Sequence, residues 1–115
     1  MNWIGYCVYL FFFLNYVLAD ERLSFHNKPN PLPEGAVTEN WPRFMGPYHN
    51  GTSKESKLLK NWPEKGPRVV WELERGETYA APTIVDGRLF SFDLADGNER
   101  LECRDPETGK LKWQF

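Results

Sequence analysis

DPETGKLKWQF, residues 105–115, sets an acidic turn and Gly109 before a run in which Leu111, Trp113 and Phe115 alternate with polar residues. Alternation at period two marks a half-buried strand. An earlier run, RVVWEL at residues 68–73, superposes on KLKWQF at 110–115, with Val69 on Leu111, Trp71 on Trp113 and Leu73 on Phe115. Each run follows a Pro-Glu-x-Gly turn, PEKG and PETG, and the two tryptophans are 42 residues apart.

Between the two runs lie APTIVDGRLFSFDL, ADGNERLECRD and the opening stretch itself, with turn glycines at 87, 97 and 109. Asp86-Gly87 and Asp96-Gly97 are the dipeptides that supply positive φ to tight hairpins, so the spacing predicts an antiparallel meander. Its strands are expected at residues 80–85, 88–94, 99–104 and 110–115, with an apolar face made by Ile84, Phe90, Leu101 and Trp113. A repeat of about 40 to 45 residues with four strands per unit is the mark of a β-propeller blade. Residues 68–115 are therefore expected to be an all-β, four-stranded blade together with the closing strand of its neighbour.

The same residues resemble a known family. CRDPETGKLKW is similar to the tryptophan-docking motif of pyrroloquinoline-quinone-like propeller repeats, Ala-x-Asp-x-x-Thr-Gly-x-x-x-Trp. Asp105, Thr108, Gly109 and Trp113 match it, and Cys103 stands in place of Ala. APTIVDGRLF resembles the Ser-Pro-x-x-x-x-Gly-x-Val-Tyr strand pair of those repeats, and WPRFMGPYHNGTS resembles the segment that opens exported bacterial members. The resemblance implies a structural docking role for Asp105, Thr108, Gly109, Trp113 and Trp71. In it each tryptophan packs on the next blade, while the glycine, aspartate and threonine shape the turn. Because one blade cannot bury both faces of its sheet, the chain is expected to be an N-terminal fragment of a larger propeller.

Composition agrees with export. The first nineteen residues, MNWIGYCVYLFFFLNYVLA, carry no charged side chain, so all 14 Lys and Arg and all 16 Asp and Glu follow them. Residues 1–19 read as an apolar signal peptide cut after Ala19. An uncleaved membrane anchor is the rival, since the run is nearly long enough to span a bilayer. Cys7 falls inside this segment, which leaves Cys103 without an internal partner after cleavage; its parity with Leu101 marks it as a small buried residue. Residues 20–40, with three prolines within five positions, read as a disordered linker. Residues 41–67 read as an irregular arm with one helical turn near Ser56 to Lys60, whose Trp41, Phe44, Tyr48 and Trp62 need cover from elsewhere.

The net charge of −2 with scattered basic residues argues against a nucleic-acid partner. His26 and His49 lack the spaced partners of a zinc site. DLADGNE, residues 93–99, has its acids at the wrong spacing for a calcium loop. No nucleophile with a base at a usable spacing emerges. Neither catalytic, metal nor cofactor residues are assigned. The expected function is an exported, periplasmic or secreted bacterial propeller module without catalysis, a binding or assembly scaffold like the family's outer-membrane assembly factor. Its partners are the remaining blades and other exported proteins, with a membrane reached only through an uncleaved 1–19. The alternative implied by the resemblance is the N-terminal part of a quinoprotein dehydrogenase. There pyrroloquinoline quinone and calcium would sit in a central channel lined by other blades, beside an Asp base.

Overall fold

The computed structural model describes residues 20–115; the apolar segment 1–19, expected as a signal helix, lies outside them. The described chain is all-β, with no helix, and is built from two antiparallel sheets. Strands β1 (Leu23–Phe25) and β2 (Trp71–Leu73) form the smaller sheet, with Leu23 opposite Leu73 and Phe25 opposite Trp71. Strands β3 (Thr83–Val85), β4 (Arg88–Ala95), β5 (Asn98–Arg104) and β6 (Leu111–Gln114) form the larger one, in sequence order. The meander and its strand positions thus follow the alternation and the turn glycines. In the first two hairpins both central residues have positive φ: 49° and 67° at Asp86 and Gly87, 53° and 77° at Asp96 and Gly97. This left-handed pair matches the natural twist of the flanking strands.

Cross-strand partners share a face, so the register sorts the side chains of the larger sheet. Phe90 and Trp113 both pair with Cys103, and Phe92 pairs with Leu101. These five residues make one apolar face. Ser91 pairs with Glu102, Asp93 with Arg100 and Leu89 with Arg104, and these make the other. Ile84 departs from the expectation. The two-residue turn pairs Val85 with Arg88 and hence Ile84 with Leu89, which puts Ile84 on the charged side of the sheet.

The covered face is the charged one. The small β1–β2 sheet lies over it, and Arg104 and Glu102 on that face are almost completely buried, as is Cys103 beneath Phe90 and Trp113 on the other face. On the opposite face Phe92, Leu94 and Trp113 are exposed, and Phe115 beyond the end of β6 is 92% exposed.

Three expectations for residues 20–67 are corrected. The segment 20–40 is not without packing, because β1 within it pairs with β2 some 48 residues away in sequence. A partner that distant leaves no local periodicity to read. No helical turn forms near Ser56 to Lys60. Lys57 has φ of 58°, outside the right-handed region, and the Ser56 N–H donates to the carbonyl of Val37 at 3.1 Å instead. Of the four arm aromatics only Trp41 gains good cover. It bridges Ile84 through two backbone hydrogen bonds of 2.7 and 3.0 Å and sets its ring against Gly46. Tyr48 is exposed, Phe44 is 79% exposed and Trp62 61%. The Asn40 side chain holds the arm to the first hairpin by bonding both the carboxylate and the N–H of Asp86. No helix among the described residues is long and apolar enough to cross a membrane.

Candidate functional site

Residues 105–109 form a self-contained turn. Asp105 Oδ1 accepts from the N–H of Glu107 and Thr108 and from the Thr108 hydroxyl, at 2.9–3.1 Å. The Gly109 N–H donates back to the Asp105 carbonyl at 2.8 Å. Aspartate and threonine suit this position because their short side chains reach the backbone two or three residues on. Burial acts to raise the Asp105 pKa, but the bonds from Thr108 and Glu107 outweigh it and hold the carboxyl below its ordinary value.

Trp71 is seated on this turn. Its indole N–H donates to the Pro106 carbonyl at 3.0 Å, and its ring lies flush against Gly109. A Cβ added at Gly109 would come within 2.6 Å of Leu23 Cδ1 and 2.7 Å of the indole. Gly109 also has φ of 71°. Turn and contact together demand a residue with no side chain. Trp71 thus docks the β1–β2 sheet onto the larger sheet, a sheet-on-sheet contact made through one aromatic ring and one glycine.

Of the five residues singled out from the sequence, Asp105, Thr108, Gly109 and Trp71 meet at this seat. Trp113 does not. It lies on the opposite face, 45% exposed, with its ring tilted at 54° to that of Phe90 and 6.0 Å away between centroids. Below this pair Cys103 is completely buried and unpaired.

Under the β1–β2 sheet runs a network of ion pairs. Arg104, with no exposed surface, donates to Glu102 at 2.9 Å, to Asp20 at 2.6 Å and to the Gly109 carbonyl at 2.8 Å. Arg22 reaches the other Glu102 oxygen at 2.5 Å. Arg100 grips Asp93 through two nitrogens, and the Gly76 N–H adds a third donor there at 2.7 Å. Burial would raise the Glu102 and Asp20 carboxyls, yet the Arg104 and Arg22 guanidiniums overcome it and hold both below their ordinary values. Asp93 is lowered chiefly by the hydrogen bond from Arg100.

This network is the feature that sequence reading missed. Its trace is the parity of Arg100, Glu102 and Arg104 with Asp93 across the hairpin. That alternation reads equally well as a solvated face, and only Asp20 and Arg22, some eighty residues away, convert it into an interior. The described residues hold no group of three or more His, Cys, Asp or Glu side chains placed to bind a metal ion. The arrangement is built to hold two sheets together, with buried charges neutralised in place. Comparison with protein-family models, with curated proteins and with solved structures finds no match to this chain.

Proposed function

We propose that this chain is an exported, non-catalytic repeat module of a β-propeller that serves as a binding or assembly scaffold. The observation that carries the reading is the seat of Trp71 on the Asp105–Gly109 turn, together with the place of Trp113. Trp71 comes from the strand that precedes the meander and rests on one face of it. Trp113, the residue 42 positions on, projects from the opposite face with its ring only partly covered. Sheets joined by one such contact on each face stack in a single direction, which is how a repeat architecture builds a continuous core. The apolar face of Phe92, Leu94, Trp113 and Phe115 is the surface that a following unit would cover. Asp105, Thr108, Gly109, Trp71 and Trp113 act as docking residues in this reading and touch no substrate.

The uncovered face carries its own test. In sedimentation velocity the chain is expected to self-associate as its concentration rises, because a contiguous apolar face and the unpaired edge of β6 both promote contact. Replacing Phe92 and Trp113 together by Ser should return it to a monomer. A parent chain that stays monomeric at every concentration would count against an incomplete stack.

The dehydrogenase alternative predicts something different. A quinone ring needs apolar walls on both faces to exclude water, and calcium needs six to eight oxygen ligands. Calorimetric titration of the chain with pyrroloquinoline quinone and calcium together is expected to give no saturable heat. Micromolar binding would replace the scaffold reading by the enzymatic one.

A further inference from the structure

We propose that the groove lined by Arg22, Arg75 and Arg100 binds a compact oxyanion. The groove, of about 310 Å³, lies between the Glu74–Glu77 loop and the β4–β5 hairpin.

The argument begins with donors and acceptors. Four guanidiniums, those of Arg22, Arg75, Arg100 and Arg104, stand against three carboxylates, those of Asp20, Asp93 and Glu102. All six carboxylate oxygens already accept a hydrogen bond from an arginine or a backbone N–H. Two donors are left over. Arg22 Nη1 and Arg75 Nε are buried and have no hydrogen-bond partner, and they are the only such side-chain atoms among the described residues. Both belong to side chains that line this one groove. Arg75 donates through Nη2 to the Phe92 carbonyl at 2.9 Å; its charge helps to hold the Asp93 carboxyl down without a direct hydrogen bond.

An unpartnered buried donor on a charged group is costly, and an acceptor that reaches it recovers that cost. None of the network's carboxylates reaches either nitrogen, whereas a group bound in the groove would lie beside both side chains. The Arg75 guanidinium, anchored by one bond to the Phe92 carbonyl, has the planar fork that takes a carboxylate- or phosphate-type group on two nitrogens at once. Arg22 and Arg100, both half-buried, also line the groove but are already paired with Glu102 and Asp93, so Arg75 carries the free positive charge of the site. Three exposed carboxylates, Glu74, Glu77 and Asp96, also line it and set the size of the ligand. They repel a polyanion such as nucleic acid but leave room for a small anion held by the half-buried guanidiniums.

Titration of the full chain with inorganic phosphate, and separately with acetate, at ionic strength held constant with chloride, tests the assignment. The Nε–H signal of Arg75 in nitrogen-15 spectra is expected to shift saturably in the millimolar range, and the melting temperature to rise in parallel. Whichever anion binds more tightly identifies the geometry of the natural group. Arg75→Gln should weaken the effect on melting temperature at least about tenfold, the loss expected for one charge-assisted hydrogen bond. Glu77→Gln removes a repelling carboxylate and should strengthen binding roughly two- to fivefold. Its backbone bonds to Leu94 are untouched, so the variant keeps its fold. The absence of a saturable shift, or a response unchanged in both variants, would overturn the site. None of these readouts depends on association through the apolar face, so failure here leaves the scaffold reading standing.

Discussion

Arg104→Met is expected to destabilise the chain by about 3 to 5 kcal/mol, the usual cost of removing one partner from a buried ion pair. Arg104 is fully buried and holds Glu102, Asp20 and the Gly109 carbonyl at once. Methionine fills much of its volume, so the loss falls on charge and hydrogen bonding, with packing largely kept. Glu102 keeps its bond from Arg22, whereas Asp20 Oδ2 and the Gly109 carbonyl lose their nearest donor. The double variant Arg104→Met, Glu102→Gln should cost less than the sum of the two single changes, since the second no longer strands a charge. Urea denaturation of the three variants measures this directly. A change below 1 kcal/mol in Arg104→Met would mean that the network is solvated.

The same network sets a pH dependence. Asp20, Asp93 and Glu102 have carboxyls held below their ordinary values. The unfolded chain therefore binds more protons than the folded one as the carboxylates begin to titrate. By linkage, stability from these groups is fully present above the unfolded values near pH 4 and is lost as pH falls through the lower folded values. Arg104→Met should make that acid limb shallower, because Asp20 and Glu102 lose the lowering by Arg104 and keep only that of Arg22, while Asp93 is still held down by Arg100. An acid limb identical in parent and variant would contradict the assignment.

The second large effect is expected at the tryptophan seat. Trp71→Ala should cost about 3 to 5 kcal/mol, as a large ring and its hydrogen bond to Pro106 leave a cavity between the sheets. Gly109→Ala attacks the same contact from below. A methyl group there meets both Leu23 and the indole and must also adopt φ of 71°. Strain of about 1 to 3 kcal/mol for the backbone and a similar amount for overpacking make it comparable to the tryptophan deletion. Trp113→Ala supplies the contrast. In this chain its ring is only partly covered, so the loss should be about 1 kcal/mol. In a longer chain that covers the ring it should approach that of Trp71→Ala. Equal effects at positions 71 and 113 in the chain as it stands would break the asymmetry on which the one-directional stack rests.

Much of the larger sheet was legible because its causes are local. A two-residue Asp-Gly turn demands positive φ, and the strands it joins need only alternate; both conditions are met within a few residues of Gly87 and Gly97. Gly109, Asp105 and Thr108 were legible for the same reason, since their hydrogen bonds close inside one turn. Their meeting with Trp71 was not foreseen: the resemblance implied a docking role for each residue, but no local pattern joins residue 71 to a turn 35 residues later. Ile84 was assigned to the wrong face because parity was carried along the chain and not across the hairpin, where the pairing begins at Val85 and Arg88.

What the sequence determined by itself is therefore the meander: four strands, their order, and the alternation that gives the larger sheet one apolar and one charged face. Which of those faces is inside was decided only by tertiary structure. The rule that apolar residues go inward points to Phe90, Phe92 and Trp113, yet in this chain the β1–β2 sheet covers Glu102 and Arg104. The physical reason is that a charge can be buried when its counter-charge arrives in the right place. For Arg104 that counter-charge includes Asp20, 84 residues earlier in the chain, and no local pattern around either residue foretells their meeting.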